Sequence, residues 1–155
     1  MRLREFNEEV FFTNDEFVKV SFKEIEELKK KAICNKRRRA RLCSHNKIKD
    51  KVHEMLIVHA KDAYIRPHKH LGKSESVHVV EGEAEVVIYD DKGVIRETME
   101  VGDYKSGRKF YYRISNTLYH NLVVKSDFFI FHEVTGGPFI REDTIYAPWA
   151  SEDIV

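Results

Sequence analysis

The chain has 155 residues, with 27 Lys and Arg against 26 Asp and Glu, a net charge of +1 and a hydrophobic share of 42%. That length suits one domain, and no apolar run approaches the ~18 residues that span a bilayer. The start "MRLREFNEEV" has no hydrophobic stretch of a secretory signal; with no CxxC pair, Cys34 and Cys43 read as reduced thiols and the protein as cytoplasmic.

Charge is unevenly placed along the chain. Residues 1–51 carry 15 basic against 9 acidic residues, or +6, and the remainder 12 against 17, or −5. The basic excess peaks at "NKRRRAR", residues 35–41. No interleaved aromatic residues come after it and the chain as a whole is nearly neutral, so the run reads as a solvated surface and no nucleic-acid partner is expected.

In chain order, "EVFFTNDEFVKV" reads as extended or irregular. Ser21 and Glu24 then have capping-box spacing. Phe22, Ile25, Leu28 and Ala32 recur at helical spacing, which predicts one helix over about residues 21–34. Residues 1–38 thus form an N-terminal segment and helix packing on the remainder of the chain. From Arg39 the pattern changes. "VHEMLIVHA", "SVHVVEG", "EAEVVIYD", "VIRETMEV", "KFYYRI", "HNLVVKS" and "FFIFHEV" are short runs rich in β-branched and aromatic residues. Turn signals such as "DDKG", "SG" and "SNT" separate them. Residues 39–155 are therefore expected to form one sandwich or barrel of antiparallel strands. The tail "TGGPFIREDTIYAPWASEDIV" holds too many breakers for a strand and is expected to wrap the outside, with Trp149 as its anchor.

"RPHKHLGKSESVHVVEG", residues 66–82, carries the chemistry. His68 and His70 alternate with Lys69, so on a strand both imidazoles face one side about 7 Å apart. "LGKS" supplies a turn, Glu75 can return toward the same point, and Gly82 permits a sharp turn. Two imidazoles and a carboxylate suit one divalent ion such as Fe, Mn, Ni, Co or Zn; a bare HxH can equally be a surface pair. Arg39 and Arg41 share strand parity. They either clamp a phosphate or carboxylate by bidentate bonds or form an exposed basic edge. Arg66, Lys73 and Arg113 lie near the motif and could supply the same anion contact.

HxH, four residues, Glu, six residues, Gly resembles the first metal motif of the cupin superfamily, with Asp62 at the position of that motif's leading glycine. The resemblance implies a mainly β chain, a double-stranded β-helix or jelly-roll barrel with one N-terminal helix. It implies His68, His70 and Glu75 as ligands and places a fourth, histidine ligand at His120. "RRRARLCSH", "VHEMLI", "YIRPHKH", "FYYRI", "YHNLV", "EVTGGPF" and "YAPWA" are further similar to WbuC-type cupin-fold metalloproteins, which are encoded among bacterial lipopolysaccharide O-antigen genes. That likeness implies a small-molecule ligand, an anionic sugar derivative, and is compatible with a homodimer. It also singles out His53 and Glu54, within "VHEM", one of which would face the barrel as a general acid or base. Three functions are compatible with this set: isomerisation or epimerisation of a sugar or nucleotide-linked sugar, oxygenation at an Fe centre, or a non-catalytic metal-dependent sugar-binding or regulatory role.

Overall fold

The computed structural model describes residues 3–115 and 117–152. Its twelve strands and one α-helix are, in chain order, β1 (Leu3–Glu5), β2 (Val10–Thr13), α1 (Phe22–Cys34), β3 (Arg39–Cys43), β4 (Val52–Ala60), β5 (His68–His70), β6 (Glu75–Glu81), β7 (Glu83–Tyr89), β8 (Ile95–Gly102), β9 (Tyr111–Ile114), β10 (Tyr119–Val124), β11 (Phe128–Gly136) and β12 (Thr144–Tyr146). One sheet has the order β1-β2-β3-β4-β11-β6-β9 and the other β12-β5-β10-β7-β8. They pack face to face as the two halves of a jelly-roll barrel.

The helix starts at its expected cap. The Glu24 carboxylate accepts a bond from the Ser21 backbone N–H at 2.8 Å, which satisfies a donor that the helix start would otherwise leave open. Ile25, Leu28 and Ala32 form its buried stripe. They meet Phe11, Ala40, Leu42, Val58, Ala60 and Ile130 on the outer face of the larger sheet. The inner face carries a second core, which includes Phe12, Met55, Ile57, Val77, Val79, Phe129 and Phe131. Alternate residues of β4 therefore enter different cores, which explains why "MLIVHA" shows no polar face: a strand covered on both sides reads as a continuous apolar run.

The extended part of "EVFFTNDEFVKV" is a strand, and its pairing is what the sequence did not show: β2 pairs in parallel with β3, Val10 opposite Arg41. Phe11 goes to the helix side and Phe12 to the barrel interior, so the N-terminal segment extends the barrel's own sheet. The tail differs from its sequence reading. Residues 144–146 form β12, which pairs with β5 through Thr144 opposite His70 and Tyr146 opposite His68. Three residues between breakers give no periodic signal, and the strand exists because β5 offers it an open edge. Trp149 does anchor the chain beyond β12, its ring 4.9 Å from that of Tyr89 and 5.9 Å from that of Tyr119.

Two backbone positions frame the metal motif. Asp62 has φ 67, a left-handed conformation that aspartate tolerates better than most residues. The turn thus survives without the glycine of the cupin pattern. Gly82 has φ 84, and a Cβ there would collide with the carbonyl oxygen of Phe128. Strain and collision together make Gly82→Ala costly, by at least about 2 kcal/mol. Urea unfolding of the variant checks this; an unchanged midpoint would refute the constraint.

Candidate metal centre

The ligand residues come from both sheets. β5 lies between β10 and β12, and His120 of β10 is directly opposite His68. Residues that face each other across a ladder share a sheet face, so His68, His70 and His120 all point into the barrel. Their ligating nitrogens lie within 4.8 Å of one another. Glu75, the first residue of β6, reaches them from the larger sheet. Its Oε1 is 2.8 Å from His120 Nε2 and its Oε2 is 3.3 Å from His70 Nε2.

The far nitrogen of each ring is tied to the surrounding chain. His68 Nδ1 is 2.8 Å from the Arg66 carbonyl, and His120 Nδ1 is 2.8 Å from the Leu118 carbonyl. His70 Nδ1 is 3.2 Å from Thr144 Oγ1 of β12. A carbonyl only accepts, so Nδ1 carries the proton in His68 and His120, and each Nε2 lone pair faces the centre. The corrected tail strand thus has a function, because it brings the hydroxyl that orients His70.

Electrostatics agree with a site built for a cation. Burial, with His120 close by, pulls the His68 imidazole down to about 4, which keeps it neutral at physiological pH. Burial alone would raise Glu75, but its contacts with His120 and His70 hold it below its ordinary value. For His120 burial acts downward, but Glu75, the Leu118 carbonyl and Glu133 together raise it. His120 Nε2 is enclosed and has no partner in hydrogen-bonding geometry, although Glu75 is close by. Two atoms that point at a common centre, rather than at each other, have that arrangement. The donor set of imidazoles and one carboxylate fits a divalent first-row ion.

An open cleft of ≈ 390 Å³ is lined by ladder neighbours of this centre, among them Ile114, which lies opposite Glu75. Ile88, which lies opposite His120 on β7, is in its wall, with Val86, Met99, Ile114 and Leu118. Glu97, Tyr112, Arg113 and Ser115 supply its polar points.

The remaining sequence candidates are scattered. Arg39 is ion-paired with Glu9 at 2.9 Å. Arg41 is opposite Ile57 and so shares the inner sheet face, below the ligand level. Arg66 lies over the Tyr146 ring, 5.2 Å from its centroid. Lys73 binds the Pro138 carbonyl at 2.8 Å and Asp143 at 3.2 Å. Arg113 donates to Ser74 Oγ at 2.8 Å while it lines the cleft. Of the pair in β4, Glu54 is exposed on the outer face. His53 is buried on the inner face and stacked on His45, with ring centroids 3.9 Å apart.

One interior group escaped the sequence reading. Glu133 of β11 is opposite Met55 and Val77, inside the barrel. Burial, reinforced by the Glu75 carboxylate, raises it to about 7. Its signal was available in "FFIFHEV": Phe129, Phe131 and Glu133 have the same parity, so a carboxyl continues an inward-facing row.

Similar architectures occur among solved structures. Protein SO0799 from Shewanella oneidensis matches over 66% of each chain, with 10% identity and a TM-score of 0.53. Oxalate decarboxylase from Bacillus subtilis matches over 64% of this chain and 24% of its own, with 22% identity and a TM-score of 0.51. A further structure of that enzyme, from work on its Mn(II) centres, matches with 14% identity, a TM-score of 0.50, and coverage of 63% and 24%. The chain thus spans about a quarter of the decarboxylase. Fold and site together define a cupin-fold protein with a histidine group that could hold a metal ion. Within that class the chain belongs to the family described as a domain of unknown function, DUF6016, whose profile matches residues 20–101. That range holds His68, His70 and Glu75 but ends before His120 and Glu133. No protein of curated function matches the sequence.

Proposed function

We propose that this cupin is a metal-dependent enzyme that moves a proton on a carbon beside a carbonyl. Its substrate is a sugar or nucleotide-linked sugar, and the outcome is isomerisation or epimerisation. One observation carries the reading. Three imidazole nitrogens and a carboxylate converge beside an open cleft, with each ring held by its far nitrogen. A bound divalent ion supplies Lewis acidity that makes such a C–H more acidic.

The chain's residues supply binding and orientation. Val86, Ile88, Met99 and Leu118 form an apolar wall that limits water at the reacting carbon. Tyr112 offers a hydroxyl, and burial and then the Glu75 and Glu133 carboxylates keep it protonated. Arg113 is the cation placed to meet an anionic substituent at the cleft. The likeness to WbuC-type proteins supports a role in bacterial surface polysaccharide synthesis, where sugars bearing phosphate or nucleotide groups are the expected substrates.

The test uses protein loaded with Mn²⁺, Fe²⁺ or Zn²⁺ in D₂O, with a panel of hexoses, hexose phosphates and nucleotide hexoses. Loss of one sugar C–H signal, dependent on the metal, is the expected result by proton NMR. Binding without exchange would instead mark a sugar-binding module. Dioxygen uptake confined to the Fe-loaded sample would mark an oxygenase. Absence of both binding and exchange across the panel would overturn the reading.

A further inference from the structure

We infer that Glu133 is the catalytic residue that removes and returns the substrate proton at this centre. The inference deepens the proposed function and rests on it. Glu133 belongs to a row across the inner sheet face, Phe12, Cys43, Met55, Glu133, Val77 and Tyr112. Every other member packs in or against the apolar core. A carboxyl in such a row weakens the fold unless it is paired. Among the described residues, no hydrogen bond or ion pair is formed by the Glu133 side chain, and the nearby guanidinium of Arg41 acts on it only through space. Packing therefore gives no reason for a carboxyl here.

Position does give a reason. Val77 faces Glu133, and Glu75 lies two residues along β6 on the same face, so Glu133 and the ligand carboxylate are diagonal neighbours about 7–8 Å apart in backbone position. Tyr112, opposite Val77, lines the cleft and feels both carboxylates. Glu133 is thus on the larger sheet, facing a centre whose three imidazoles come from the smaller one. Glu133 is half-buried, at the level of the sheet where Tyr112 meets the cleft. Burial favours its protonated form, the direction expected of a group that takes up and returns a proton.

The step balances without a co-reactant. The substrate C–H bond breaks, and its proton forms an O–H bond on Glu133. The electron pair becomes a C=C bond to the neighbouring carbonyl carbon, whose C=O π pair moves to oxygen. Return of the proton to the neighbouring carbon gives an isomer, as the hydroxyl on the first carbon gives its proton to the former carbonyl oxygen and becomes the new C=O. Return to the first carbon, on its other face, gives an epimer.

Glu133→Gln keeps shape and removes the base. On the sugar panel in D₂O, deuterium exchange should fall by about 10²- to 10⁴-fold. Metal content should equal that of wild type, and the urea midpoint at pH 8 should be equal or higher. Glu133→Asp should recover part of the exchange. Exchange at the wild-type rate would remove Glu133 from the reaction and leave the proposed function standing. Loss of metal or of stability in both variants would make the carboxyl a structural group and overturn the inference. Wild-type protein that is fully loaded and exchanges no panel member would overturn the proposed function, and this inference with it.

Discussion

His70→Ala should lower divalent-metal affinity by at least about 100-fold, beyond the 10- to 100-fold typical of losing only an orienting partner. The variant is informative because His70 is half-buried at the barrel's mouth; His120 is enclosed at 5% exposure, and its removal would disturb packing as well. In His70→Ala, Glu75 keeps its 2.8 Å approach to His120, but one nitrogen of the converging set is gone. Folding is linked to the same event. An ion held only by the folded state, at 100 times its dissociation constant, stabilises by about 2.7 kcal/mol. For a chain of this size that raises Tm by about 5–10 °C. Wild-type protein should show this gain with Mn²⁺ or Zn²⁺ and lose it on chelation, while His70→Ala shows little of it. Thr144→Val, which removes only the hydroxyl 3.2 Å from His70 Nδ1, should fall between the two. Equal metal content in wild type and His70→Ala would dismiss the centre.

Acid should destabilise the fold through His59, which is far in role from the metal. His59 is on the inner face of β4, 5% exposed, with its ring edge-on to Phe131 at 5.4 Å. Its Nδ1 has no partner. Burial, assisted by Arg41 and Arg37, pulls the imidazole down to about 3. The folded state therefore holds His59 neutral, while the unfolded chain binds a proton near pH 6.5. The His59 contribution is intact above pH 6.5 and is lost progressively as pH falls toward 3. Between pH 7 and pH 5 the loss is about 2 kcal/mol, at 1.36 kcal/mol per unit below the unfolded value. His59→Gln, close in size and unable to titrate, should lose about that much less stability over this interval. Urea unfolding of both proteins at pH 7 and pH 5 gives the comparison, and parallel pH dependences would reject the assignment.

These two histidines show what local sequence conveys. His70 was legible because its partners are nearby in the chain: His68 is two residues away and Glu75 five. His59 stands in an unbroken apolar run, where nothing local distinguishes a buried neutral ring from an exposed one. Its state depends on Phe131 and Arg41, brought beside it by β11 and β3. The Arg39 and Arg41 clamp illustrates the same limit. Shared parity was correct, but Arg39 meets Glu9, thirty residues away, through a strand pairing that no motif announces.

Several features were determined by the sequence alone. The helix and its cap come from a 3.6-residue period and the Ser21–Glu24 spacing. The β-rich remainder comes from short branched and aromatic runs. The shared face of His68 and His70 comes from a period of two, the return of Glu75 from the intervening turn, and their reading as a ligand set with His120 from the cupin likeness. All of these are encoded within a few residues or in a known pattern. Tertiary structure alone decided which strands became neighbours. It placed β12 beside β5 so that Thr144 orients His70, and it placed β11 between β4 and β6 so that Glu133 faces the ligand side of the barrel. A strand's period says which residues share a face but not what that face will meet. That depends on pairing between segments distant in sequence, and on the burial that the completed sheets then impose.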